Sequence, residues 1–67
     1  MRLKIGKHAK ERMILRGVTK EQIKICIQRG ATVRQTDGML SSYTYLEVAW
    51  KKLEEDYYFI KTVKIKG

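Results

Sequence analysis

The stretch RGVTKEQI, Arg16 to Ile23, leaves the chain little choice of local path. Gly17 stands where a helix C′ glycine belongs, free to take the left-handed conformation that ends a helix. Two residues on, Thr19 is placed as a helix N-cap and Gln22 as its capping-box partner. Val18 and Ile23 take the two ends of a hydrophobic staple. One helix must stop and another start here, so the chain contains an αα-hairpin. The first helix is predicted from Lys7 to Arg16, after a break at Gly6. Ala9 and Met13 face inward, and Ile14 or Leu15 widens that face. The second is predicted from Lys20 to about Arg29, with Ile23, Cys26 and Ile27 inward and Gly30 at its end.

The flanking residues read as strands. Met1 to Ile5 alternates apolar and basic, as a short edge strand does. After Gly30 the apolar period changes to two. Ala31 to Thr36 is a predicted strand, Asp37-Gly38 a hairpin turn, and Met39 to Ser42 a less regular segment with a bulge. A long strand is predicted from Tyr43 to Leu53. It sets Leu46, Val48 and Trp50 on one face and Tyr43, Tyr45 and Glu47 on the other. Glu54 to Asp56 is a charged turn. In the last predicted strand, Tyr57 to Lys66, Phe59, Val63 and Ile65 oppose Tyr58, Ile60 and Thr62. Both faces are largely apolar, which places that strand inside the sheet. The order β–α–α–β–β–β makes an α+β fold with two N-terminal helices packed on a small antiparallel sheet.

A chain of 67 residues is a single domain, residues 1–67, with little core. A second copy or a partner chain would add what the length cannot supply. Cys26 is the only cysteine; it suits a reducing compartment and reads as a small buried hydrophobe. No Cys/His cluster offers a metal site, no phosphate-binding loop is spelled, and no cofactor is expected. No apolar run spans a membrane, and MRLKIGKH lacks the apolar core of a secretory signal, so the expected location is the cytoplasm.

Charge is unevenly spread. The net formal charge is +8. Residues 1–36 carry ten Lys and Arg against Glu11 and Glu21, whereas residues 37–67 carry five lysines against five acids. The basic field therefore belongs to the N-terminal half, and it points to RNA or another nucleic acid, or to an acidic protein, on that side.

His8-Ala9, Arg12-Met13 and Arg16-Gly17-Val18-Thr19 together resemble the "HA..RM..RGI(S/T)" signature of the domain of unknown function 4258 family, with Val18 in place of the more usual isoleucine. The element order also looks like the core of RelE-like and BrnT-like toxins of toxin–antitoxin modules. That likeness implies a small basic protein acting on RNA beside an acidic antitoxin-like partner. It also directs attention to residues of the last strand: Tyr57, Tyr58, Lys61, Lys64 and Lys66.

His8, Arg12 and Arg16 fall at i, i+4 and i+8, a slanting stripe that drifts about 40° per step. Histidine is a general acid or base near neutral pH. Arginine grips phosphate and stabilises charge that develops on it. The stripe is thus sufficient for metal-independent RNA cleavage, with His8 and Arg12 as catalytic candidates. Lys7, Lys10, Arg16, Tyr58, Lys61 and Lys64 are the candidates for nucleic-acid binding. A structural role competes at each arginine, which can bond helix carbonyls or pair with an acid such as Glu47. Tyr43 and Tyr45 would stack bases, bury an interface or simply pack. The leading expectation is a toxin-type ribonuclease. The alternative is a non-enzymatic module that binds nucleic acid or protein through the basic hairpin.

Overall fold

Seven elements follow one another along residues 1–66, the part of the chain described by the structure, a computed structural model. They are β1 (Arg2–Ile5), α1 (Lys7–Arg16), α2 (Lys20–Arg29), β2 (Ala31–Gln35), β3 (Gly38–Tyr43), β4 (Leu46–Glu54) and β5 (Tyr57–Ile65). The five strands form one sheet in the order β1-β5-β4-β3-β2. The fold is α+β, with the two N-terminal helices on one face of the sheet. β1 lies at an edge and β5 is flanked on both sides, as the patterning requires. The sheet is nevertheless mixed rather than antiparallel, because β1 runs parallel to β5, with Leu3 opposite Tyr58 and Ile5 opposite Ile60. Alternation has the same period in either direction, so it carries no information about this pairing.

The helical hairpin forms as its residues dictate. Gly17 takes φ 68°, and the Val18 N–H donates to the Met13 carbonyl at 2.9 Å, as in a Schellman motif. The Thr19 N–H donates to Gln22 Oε1 at 2.8 Å, and the Gln22 N–H donates to Thr19 Oγ1 at 3.2 Å, closing the capping box. The staple residues Val18 and Ile23 are both buried in the core. That core joins Ala9, Ile23 and Cys26 of the helices to Leu46, Val48, Trp50, Ile60 and Val63 of the sheet. Met13 packs against it, but Ile14 and Leu15 do not widen that face; they are 74% and 78% exposed. A ten-residue helix lying over β5 turns one narrow stripe to the sheet, and both residues fall outside it.

Two departures from the predicted strands matter for function. The run from Met39 to Leu53 is two strands, because the chain reverses at Thr44-Tyr45 and pairs Tyr43 with Leu46. Thr44 holds φ 54°, a conformation unusual for a β-branched residue, and neither position carries the glycine or asparagine that normally signals such a turn. The reversal places Tyr43 on the face of Leu46, against the core, rather than with Tyr45 and Glu47. The bulge expected near Met39 lies instead in the β4–β5 pairing, at Lys61 and again at Leu53. The extra residue at Lys61 breaks the alternation of β5. Ile60 and Val63 therefore both face the helices, and Phe59 does not.

The Asp37-Gly38 hairpin is present one residue earlier: Thr36 and Asp37 form the loop, and Gly38 opens β3 at φ 121°. A Cβ at Gly38 would meet the Trp50 carbonyl oxygen at 2.5 Å, so glycine is required there by space as well as by conformation. Ser41 is the one buried polar side chain among the described residues. Its hydroxyl accepts from Trp50 Nε1 at 2.8 Å and shares a hydrogen bond with Thr32 Oγ1 at 2.7 Å, so its burial leaves no group unpaired.

Candidate nucleic-acid interface

Ala9 and Met13 tie α1 to the sheet, and the remaining circumference of this helix is open and mostly polar, with Ile14 and Leu15 as its exposed apolar members. Lys7, His8, Lys10, Glu11, Arg12 and Arg16 are all exposed. Glu47, a possible closing partner for the arginines, is engaged elsewhere. It alternates with the buried Leu46 and Val48, so it points away from the helices. There it accepts from Ser42 Oγ at 3.4 Å and lies 3.9 Å from Lys66 Nζ. His8, Arg12 and Arg16 are therefore not held by it.

Ion pairing divides the chain. Asp37 holds Lys51 at 3.1 Å and Lys61 at 3.4 Å. Glu54 faces Arg2, Glu55 faces Lys52, and Asp56 meets the N-terminal ammonium. The acids of residues 37–67 are thus all matched, and Lys64 is the one lysine of that half without an acidic partner among the described residues. Across the hairpin the only pair among the described residues is Lys24 with Glu21. Lys7, Lys10, Arg12, Arg16, Lys20 and Arg29 have none among the described residues. Six cations on one hairpin, with Glu11 alone against them, leave a field that no internal anion cancels.

The other binding candidates lie apart from this surface. Tyr58 packs edge-on against Trp50, with ring centroids 5.2 Å apart, and is half-buried on the helix side of the sheet. Lys61 reaches across β4 to the side chain and the backbone carbonyl of Asp37. These two lysines hold the Asp37 carboxyl below the ordinary range, the Lys51 hydrogen bond contributing most. Lys64 follows the buried Val63 and points to the open side, opposite Glu47. On that open face Lys4, Phe59 and Lys51 stand in register across β1, β5 and β4. Thus Lys7, His8, Lys10, Arg12 and Arg16 share α1, whereas Tyr58, Lys61 and Lys64 do not join them.

One cleft adjoins the basic stripe. It opens where α1 ends, between Arg16, Gln22 and Ile25 on one side and Tyr43, Tyr45 and Ile65 on the other. A broader groove runs along the opposite flank of α1, between Lys10, Met13 and Ile14 and the edge residues Leu3 and Ile5. His8 and Arg12 line neither. Gln22 and Ile25 carry no functional signal in the sequence beyond the capping role of Gln22; they gain one only by facing the Thr44-Tyr45 turn. Cys26 takes no part: its sulfur lies 3.4 Å from the Ser41 carbonyl oxygen and 3.6 Å from that of Leu46, and burial pushes its pKa up. Among the described residues no three His, Cys, Asp or Glu side chains gather as metal ligands do, and no helix is long and apolar enough to cross a membrane.

The family model for the domain of unknown function DUF4258 matches residues 5–64, from the end of β1 almost to the end of β5. The chain belongs to the DUF4258 family. No curated protein and no solved structure matches it. Membership ties the stripe, the hairpin and the sheet into one inherited unit, since the match runs through all of them. The DUF4258 description assigns no activity, so the chemistry rests on the surface itself.

Proposed function

We propose that this DUF4258 chain binds single-stranded RNA through the cationic surface of α1. The observation that carries the reading is the uncancelled charge of the hairpin, set beside a sheet half whose acids are all matched. A polyanion supplies the missing counter-charge and releases its own bound cations as it does so, which makes binding strong and salt-dependent. Arginine adds planar, two-pronged contact to phosphate oxygens. Beside the stripe the exposed ring of Tyr45 offers a face for an unpaired base, which favours a flexible strand over a duplex.

Cleavage of the bound RNA, in the manner of the RelE-type and BrnT-like toxins that the element order resembles, is the second reading. What favours it is the stripe itself, in which His8 and Arg12 lie one turn apart with no hydrogen-bond or ion-pair partner among the described residues. An arginine there would grip the phosphate, and the imidazole would move the proton of the attacking 2′-hydroxyl. Both stand on an open surface with no wall to exclude water, and for that reason binding leads. An acidic antitoxin-like protein would meet the same surface and compete with RNA for it.

The test is a titration of labelled RNA with the intact protein at several salt concentrations. Binding that weakens steeply with salt, and weakens further for Arg12→Ala, supports the reading; salt-independent or absent binding removes it. Cleavage by the wild type that His8→Ala abolishes would raise the second reading above the first.

A further inference from the structure

The cleft at the C-terminal end of α1 has walls that the basic stripe alone does not explain. Its volume is about 190 Å³, below the roughly 300–1,000 Å³ of a site for a drug-sized molecule. It therefore suits one small ring system. Ile25 and Ile65 supply apolar walls, and Tyr43 and Tyr45 supply aromatic ones. Tyr45 is 56% exposed and Ile25 40% exposed, so both leave apolar surface open to a ligand. No acid lines the cleft, and its one charged lining residue, Arg16, has no ion-pair partner among the described residues. Gln22 accepts the Thr19 N–H through Oε1, which leaves its amide N–H groups free to donate. A flat ligand with hydrogen-bond acceptors on its rim and a negative charge close by satisfies every wall.

Arg16 is also the last member of the stripe that begins at His8, so the cleft continues the surface on which phosphates would lie. We infer that the cleft receives one unstacked base of an RNA strand that runs along α1, with Arg16 on the phosphate next to that base. The inference rests on the RNA-binding reading and adds to it the moiety that is recognised. Tyrosine rings and the Ile25 side chain cover the faces of the base, and the Gln22 amide meets an acceptor on its edge. Arg12, one turn back along the stripe, carries the next phosphate.

The experiment compares a short oligouridylate with an abasic ribose-phosphate strand of the same length, on the wild type and on Tyr45→Ala. The Tyr45 ring stands at a turn and is mostly exposed, and the backbone carbonyl that binds the Lys66 N–H is untouched, so the variant keeps the fold. The wild type is expected to prefer the strand with bases by about ten-fold, the scale of one stacked base. Tyr45→Ala loses that preference and retains the salt dependence. Equal binding of both strands by the wild type, still sensitive to salt, overturns the base site and leaves the RNA reading intact. No binding of either strand overturns both. An acidic peptide that shifts the Tyr45 ring resonances when RNA does not would make the cleft a protein-docking site and also overturns the inference.

Discussion

Among the described residues, Asp37, Glu47, Glu54, Glu55 and Asp56 of the sheet half each hold a cation, whereas in the helical hairpin only Glu21 does. Exposed pairs of this kind add little to stability. Their effect is on the field, because each one cancels a cation that would otherwise be felt over a Debye length of about 8 Å. The two halves hold comparable numbers of cations but differ in what is left over. The sheet carries most of its charge in closed pairs, with Lys4, Arg34 and Lys64 left over among the described residues, and is fitted to be a support. The hairpin carries its charge open and is fitted to meet an anion. Position of the acids, more than number of bases, makes the difference.

The strongest way to break this comparison acts at the joint between the halves. Gly30 links α2 to β2, and a Cβ there would run into the carbonyl oxygens of Cys26 and Ser42. Gly30→Ala is expected to cost about 3 kcal/mol of stability, the upper range for overpacking, measured by denaturant unfolding. A smaller loss would mean that the hairpin and the sheet are less firmly joined than their geometry shows. Next comes charge. Arg12→Ala combined with Arg16→Ala should weaken RNA binding by about ten-fold or more and reduce the salt slope by about 1.4, the value for two phosphate contacts on a single strand. Lys51→Ala with Lys52→Ala should change neither by more than a small factor. Equal effects from the two double variants would erase the contrast between the halves.

Turn chemistry sharpens the comparison further. Thr19→Ala removes the cap that starts α2 and should cost about 1 kcal/mol. Thr44→Gly relieves a positive φ in the sheet half and should add about 1 kcal/mol, read as a higher Tm. The smallest effect is expected from pH. The Asp37 carboxyl is held low in the folded chain, so its contribution is present above the unfolded carboxylate pKa. It is lost as pH falls through the lowered folded value. Because Asp37 is fully exposed, Asp37→Asn should flatten only a shallow acid limb of the unfolding curve.

How much of this was legible in the sequence depends on the range over which each signal acts. The turn of the hairpin was readable, because Gly17, Thr19 and Gln22 act within a few residues of one another; the outward faces of Ile14 and Leu15 were not, because they depend on how α1 lies over β5. The β3–β4 turn was not, because Thr44-Tyr45 has no turn residue and is enforced by the pairing of the strands it joins. The face of Phe59 was misassigned for a related reason. The extra residue at Lys61 exists only relative to β4, and one bulge reverses every position beyond it. The direction of β1 depends on a partner at the far end of the chain. At the site, the excess of basic residues could be counted directly, and the stripe from His8 to Arg16 followed from helical geometry. Which cations remain free could not be counted, because that depends on where the acids fold. The cleft joins Arg16 to Tyr43 and Tyr45 across elements with no common local pattern.

β1 and β5 are neighbours in the sheet although the whole of the remaining fold separates them along the chain, and α1 packs chiefly on β5. During synthesis, then, the basic helix emerges early but has no floor to lie on until Tyr57–Ile65 has been made. Until that moment its charges sit on a helix too short to persist alone. The order of manufacture thus acts as a timer: the cationic face of α1 is seated only once β5 has been made.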